Sequence, residues 1–281
     1  MSAASPVQVC VVGARGRMGE AVRAALDEEP GLALAAALEA PGHPEVGHEL
    51  APGVRLGDDP KAALAGCDVA IDFTVPAATL ATLRVAADSG VAYVTGTTGL
   101  TADERDELAA LARRTPVIHA ANFSTAVNVL AWLTREAARL LGPDFDAEIT
   151  ELHHAAKRDA PSGTALRLAA AVAEGRGTTL EEHLVLERAG EIGARPAGAI
   201  GIQSLRGGDN PGEHAVQFIG TGERLELAHR SITRDHFARG AVRAAAWLAG
   251  REPGLVPIEE VLGLRSAGCG GAARAPPRCP A

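Results

Sequence analysis

One stretch of the chain concentrates side chains that can move protons and hold anions: Glu151-Leu152-His153-His154-Ala155-Ala156-Lys157-Arg158-Asp159-Ala160-Pro161-Ser162-Gly163-Thr164-Ala165. His153, His154, Lys157 and Arg158 crowd four basic groups into a short loop, and Ser162, Gly163 and Thr164 open the helix that follows. A helix start offers free backbone N–H groups and a partial positive charge, so the segment makes a compact anion site. Two adjacent histidines and a lysine also supply proton donors near neutral pH. This pairing suits a reduction in which hydride adds to carbon and a balancing proton must be delivered. A solvated basic loop before a capped helix is the plainer reading. The concentration of His153, Lys157 and Gly163-Thr164 beside a nucleotide-binding half weighs against it.

A second constellation lies near the N-terminus. Gly13-Ala14-Arg15-Gly16-Arg17-Met18-Gly19 joins an apolar run to a helical pattern with a G-x-x-G-x-x-G spacing. Such a loop lets backbone approach a pyrophosphate, which the helix start then holds. The glycine spacing alone also fits a tight turn with no ligand. Its placement after a strand and before an amphipathic helix, with Glu39 ending the next strand twenty positions beyond Gly19, points to a dinucleotide. Glu39 favours a free ribose 2′-hydroxyl, hence NADH; Arg15 and Arg17 suit the 2′-phosphate of NADPH. Gly96-Thr97-Thr98-Gly99 and Ala120-Ala121-Asn122-Phe123-Ser124 follow later strands, at the edge where open α/β sheets bind ligands. Turn chemistry alone also explains their composition.

These residues must be positioned by a regular frame. Val7–Val12, 32–38, 69–73, 91–94 and 116–119 read as short apolar strands. Helical patterns at 16–29 (Met18, Val22, Ala25 and Leu26 on one face), 77–88 and 101–113 alternate with them. This predicts a doubly wound parallel sheet through about Phe123. The pattern then changes. Thr125 to Leu141 reads as a long helix with Val127, Leu130, Leu133 and Leu140 as its apolar stripe. Asp146 to His153 alternates like a strand, and Pro161 to about Glu174 becomes helical. Strand-like segments split by turns fill 198–227 and predict an open antiparallel or mixed sheet. Phe237 to Leu248 is helical again and is read as a return to the first domain.

Composition sets bounds. The 281 residues suffice for one large or two modest domains, and aromatics at 3% leave Ala, Val and Leu to fill the core. A net charge of −8 argues against nucleic acid as a partner. No apolar run approaches the ~20 residues of a membrane span, and the start has no basic leader pattern. Cys10, Cys67, Cys269 and Cys279 form no CxxC pair or metal-ligand spacing, so no metal is expected and a reducing cytoplasm is. Residues 265–281, rich in Gly, Ala, Pro and Arg, read as a disordered tail.

Over about Val7 to Leu264 the sequence resembles the dihydrodipicolinate reductases. Glu151 to Ala165 is similar to their E-x-H-H-x-x-K-x-D-x-P-S-G-T-A pattern at every fixed position. The loops at 13–19, 72–74, 96–99 and 120–124, Gly207 to His214 and Gly222 to Glu226 match in order and character. The resemblance implies a Rossmann domain built from residues 1–124 and 235–264. It also implies an α+β substrate-binding domain at 125–234, with an open mixed sheet that assembles a homotetramer. His153 would be the proton donor, with Lys157 a second acid or electrostatic stabiliser. His154, Lys157, Gly163, Thr164 and Arg234 would hold the carboxylates of a small dicarboxylate substrate. NADH or NADPH would contact Gly13, Ala14, Arg15, Gly16, Arg17, Met18, Glu39, Gly96, Thr97, Thr98, Ala120, Ala121, Asn122 and Phe123. Some members carry Arg directly after the ribose-binding acid; here the position is Ala40, and the nucleotide preference stays open. The nucleotide loop alone also fits another Rossmann oxidoreductase or a non-catalytic dinucleotide sensor; the His-Lys segment argues against both.

Overall fold

The computed structural model describes residues 5–264; the tail read from Arg265 onward, with Cys269 and Cys279, lies outside them. In chain order the first half runs β1 (Val7–Val12), α1 (Arg17–Asp27), β2 (Leu32–Leu38), β3 (Glu49–Ala51), β4 (Val54–Gly57), α2 (Pro60–Leu64), β5 (Val69–Asp72), α3 (Pro76–Ser89), β6 (Ala92–Thr95), α4 (Ala102–Leu111) and β7 (Pro116–His119). Then come α5 (Thr125–Leu141), β8 (Asp146–His153), α6 (Gly163–Arg176), β9 (Leu184–Val185), β10 (Ile200–Arg206), β11 (Glu213–Ile219) and β12 (Arg224–Arg230). The chain closes with α7 (Asp235–Leu248), β13 (Gly254–Leu255) and α8 (Ile258–Val261).

The first sheet has the order β13-β7-β6-β5-β1-β2-β4-β3, parallel throughout except for the β3–β4 pair. Both faces are covered, which is why β1 reads as an unbroken apolar run. Val9 and Val11 face α1 and α7, while Cys10 and Val12 face α2, α3 and α4. Helix α7 carries Ala238, Ala241, Ala244 and Ala245 on its buried side, so it can lie close to the sheet with few aromatics between. At Gly240 the helix meets the loop that follows β7, where a β-carbon would run into the Phe123 carbonyl. Helix α7 thus packs on the first sheet, and β13 adds an edge strand beside β7.

The second sheet has the order β12-β11-β8-β10-β9; β8 pairs antiparallel with β11 and parallel with β10, so it is mixed. Helices α5 and α6 cover one face and bury Ala147, Ile149, Ile200, Ile202, Val216 and Phe218 beneath them. The expected stripe of α5 needs correction. Val127 and Leu130 are buried, but Leu133 and Leu140 are 39% and 72% exposed. The buried face runs instead through Ala131, Thr134 and Ala138. The cause is Gly175 of α6, where a β-carbon would meet the Arg135 carbonyl and Ala138, so the helices touch through small side chains and the leucines turn outward. The small elements β3, β4 and α2 were not anticipated. They lie in a stretch broken by Gly42, Gly47, Gly53 and Gly66, all at positive φ.

Polar contacts between side chains tie the halves together. Asn122 Nδ2 donates to Thr164 Oγ1 at 3.3 Å. The Arg167 guanidinium on α6 pairs with Glu259 of α8 at 2.6 Å.

Candidate active site

The nucleotide loop is built from backbone. The Gly13 and Ala14 N–H groups donate to the Leu38 carbonyl at 2.8 and 3.1 Å, which ties the loop to the end of β2. Gly13 has φ +70°, a conformation that favours glycine. A β-carbon at Gly19 would run into the Gly13 carbonyl, and one at Gly16 would sit 3.2 Å from it. Gly16 precedes α1 with no side-chain cap, so the first-turn N–H groups are left to face a ligand. Bare backbone and an uncapped helix start fit a pyrophosphate, and with the doubly wound sheet they support a nicotinamide dinucleotide. Glu39 follows β2, its carboxylate accepting from the Arg15 N–H at 2.8 Å and the Ala40 N–H at 3.2 Å. The Arg15 guanidinium is held by Glu20 and Glu45, whereas Arg17 is exposed.

The two later loops divide. Gly96 admits the Phe73 ring, which packs edge-on against Phe123 with centroids 5.6 Å apart. Thr97 turns its hydroxyl inward to Thr79 at 2.7 Å and is buried, while Thr98 is exposed. Ala120 and Phe123 are buried, Ala121 is exposed, and the Asn122 side chain accepts from the Ser124 N–H at 2.8 Å.

The proton-bearing side chains come from β8. Strand periodicity sends Glu151 and His153 to the same buried face, with Glu151 fully buried. In register, Arg206 of β10 lies opposite His153, and His214 of β11 lies opposite Glu151. Arg206 grips Glu151 with two hydrogen bonds of 2.8 and 3.0 Å, the Ser162 N–H adds a third at 3.3 Å, and His153 Nδ1 closes on Oε2. His214 Nε2 lies 3.0 Å from Ser162 Oγ, which also caps α6 by accepting from the Ala165 N–H. The two rings meet edge to face at 5.2 Å.

Burial would raise the Glu151 carboxyl, but hydrogen bonds from Arg206, Ser204 and His153 outweigh it and hold the group below the ordinary value. Burial pushes His153 below the usual histidine value; Glu151 pulls it back, and Lys157 and Arg206 add to the lowering. Burial, helped by His153, brings His214 down to about 4. His214 is therefore a neutral ring at physiological pH. Glu151, His153 and His214 bring possible ligand atoms within 4.8 Å of one another. A cation there would face the Arg206 guanidinium that already holds both carboxylate oxygens, so this donor set is built as a hydrogen-bond network and does not fit a metal.

A cavity of about 480 Å³ opens onto this network. Its walls bring together Thr98, Ala121 and Asn122 from the first domain with His153, His154, Lys157, Gly163 and Thr164 from the second, and Arg234 and Phe237 where the chain crosses back. Lys157 Nζ pairs with Asp159 at 2.8 Å at the rim. The glycine loop and Glu39 are not among its walls. The sequence assigns no role to Glu151, Arg206 or His214, and reads Ser162 only as part of the helix start. Glu151 was signalled by its place two residues before His153 on one strand; Arg206 and His214 required the strand register.

Two family models, dihydrodipicolinate reductase N-terminus and C-terminus, match residues 7–123 and 126–262. The 4-hydroxy-tetrahydrodipicolinate reductase of Anaeromyxobacter dehalogenans is 49% identical over 265 residues, covering 92% of this chain and 98% of that protein. That of Geotalea daltonii is 47% identical, covering 92% and 100%. A dipicolinate-bound dihydrodipicolinate reductase from Paenisporosarcina superposes with a TM-score of 0.76 at 24% identity, covering 91% of this chain and 99% of that one, a likeness of fold. With both halves matched and relatives of nearly equal length at almost half identity, the chain belongs to the dihydrodipicolinate reductase family.

Proposed function

We propose that this oxidoreductase reduces 4-hydroxy-tetrahydrodipicolinate, by way of dihydrodipicolinate, to tetrahydrodipicolinate in the cytoplasmic route to diaminopimelate and lysine. The observation that carries the proposal is the shared cavity. Its walls combine loop residues of the dinucleotide domain with the His153-His154-Lys157 segment and the start of α6. Water leaves the 4-hydroxy compound to give a conjugated imine. When bound, the reduced nicotinamide supplies the hydride that goes to C4 of the ring. His153 holds the balancing proton at Nε2 and releases it to the reduced ring, so that one hydride and one proton are added in all. Lys157 stabilises the charge beside it. The two carboxylates are held by His154, Lys157 and Arg234 and by Gly163 and Thr164 at the helix start, where N–H groups and the helix dipole favour anions. Held between two domains, the reacting groups gain from orientation and from exclusion of water on closure.

The dinucleotide is held by Gly13 to Met18, Glu39, Gly96 to Thr98 and Ala120 to Phe123. Both nucleotides serve. Glu39 takes the free ribose hydroxyls of NADH, and exposed Arg17 takes the 2′-phosphate of NADPH, since Arg15 is engaged by Glu20 and Glu45. The chain assembles as a homotetramer through the sheet face opposite α5 and α6, where Leu205 is 50% exposed beside Leu152. Among the described residues no helix is long and apolar enough to cross a membrane.

The test is oxidation of NADH and of NADPH, followed by absorbance, with substrate generated fresh from pyruvate and aspartate semialdehyde by the preceding synthase. Oxidation that depends on that product is expected with both nucleotides. A folded enzyme that binds them yet oxidises neither refutes the assignment. Sedimentation equilibrium measures the assembly.

A further inference from the structure

We propose that Glu151, clamped by Arg206, is the positioning residue of His153: it fixes Nδ1 as the protonated ring nitrogen and turns Nε2 to the cavity. The geometry is specific. Glu151 is fully buried and meets donors: two guanidinium nitrogens, the Ser162 N–H, the Ser204 hydroxyl and His153 Nδ1. A carboxylate held in this way can only accept, so the ring nitrogen facing it carries the proton. The other ring nitrogen, Nε2, lies against Gly212, where a β-carbon would come within 2.9 Å of it. Gly212 sits at φ +145° and leaves that nitrogen clear. The Arg206 guanidinium reaches further, to the Asp159 carbonyl at 2.7 Å, so the clamp also anchors the loop that carries Lys157.

The charges around His153 oppose one another. Glu151 on its own strand favours the imidazolium. Arg206 on β10 and Lys157 in the following loop disfavour it. His214 on β11 is a neutral ring, and His154, Asp159, Arg167 and Arg234 also line the cavity. Removing Glu151 or Arg206 therefore moves the His153 proton affinity in opposite directions, a result that loss of mere packing would not give.

The proposal rests on His153 as the proton donor, and its tests separate the two ideas. In wild-type enzyme, 15N NMR of the His153 ring, assigned by difference from His153→Gln, is expected to give the Nδ1–H tautomer for the neutral ring. This reading needs no turnover and no variant of the clamp. Glu151→Gln is expected to lower kcat about 10²–10³-fold with KM little changed. The alkaline fall of kcat/KM should begin at lower pH in that variant, because the imidazolium has lost its anion. Arg206→Met should move the same fall to higher pH. A wild-type Nε2–H tautomer, or alkaline limbs that stay put or move the same way in both variants, overturns the proposal. Wild-type enzyme that never oxidises the nicotinamide would instead strike the reaction itself.

Discussion

The two halves of the proposed active site are made of different material. The proposed nucleotide half is mostly backbone: Gly13, Gly16 and Gly19 matter for the side chains they lack, and the start of α1 carries no side-chain cap. The substrate half is side chain: Glu151, His153, Arg206 and His214 converge from three strands. The first depends on local chain geometry. The second depends on register, since slipping β10 by one residue against β8 would turn Arg206 to the opposite face and bring Leu205 inward. A backbone site tolerates change around it but no added atom within it. A side-chain site tolerates small adjustments but not the loss of a partner.

Substitutions can sharpen this contrast. The largest effect is expected from His153→Gln, which should lower kcat ~10²–10⁴-fold while NADH affinity, read by fluorescence titration, stays as in wild type. An unchanged kcat removes His153 from the chemistry. Next is the acid sensitivity of the side-chain half. His214 stays neutral down to about 4 when folded but is protonated below its usual 6.5 when unfolded. The stability it confers is present above pH 6.5 and lost as the pH falls toward 4, by up to about 3 kcal/mol. Denaturant titrations at several pH values should find that slope reduced in His214→Gln; an equal slope would place the titrating group elsewhere. Gly19→Ala should weaken both nucleotides by about 1–3 kcal/mol, the usual cost of overpacking, and leave the His153 NMR signals in place. Wild-type nucleotide affinity in that variant would show that the glycine cradle is not the binding loop. Smallest is Arg17→Ala, expected to raise KM for NADPH roughly 10-fold, as for a lost charge-assisted hydrogen bond, and to spare NADH. An equal change for both nucleotides would take Arg17 away from the 2′-phosphate.

The same contrast governs what the sequence made legible. The glycine loop and the His-Lys segment stand out in the sequence because each is a run of neighbours whose spacing carries the geometry, and Glu39 because it ends the next strand. The alternation at 146–153 was also local. Arg206 and His214 were hidden, because nothing within 200–206 or 213–219 says which residue will lie opposite Glu151. Thr97 illustrates a different limit. Its loop was found, but the inward turn of its hydroxyl to Thr79 of α3 is a matter of packing that no spacing encodes. Leu133 and Leu140 failed for a related reason: apolar periodicity finds a helix, but Gly175 on another helix decides which side is buried.

The ion pair between Arg167 and Glu259 gives the end of the described chain a mechanical part to play. Arg167 stands one turn beyond the helix start that would hold the substrate, and Glu259 follows directly on the strand that closes the edge of the first sheet. A chain cut before Gly254 keeps every residue assigned to binding or chemistry. It nevertheless loses the edge partner of β7 and the strut that braces α6 at once, so the damage of such a truncation would be felt as play between the two domains.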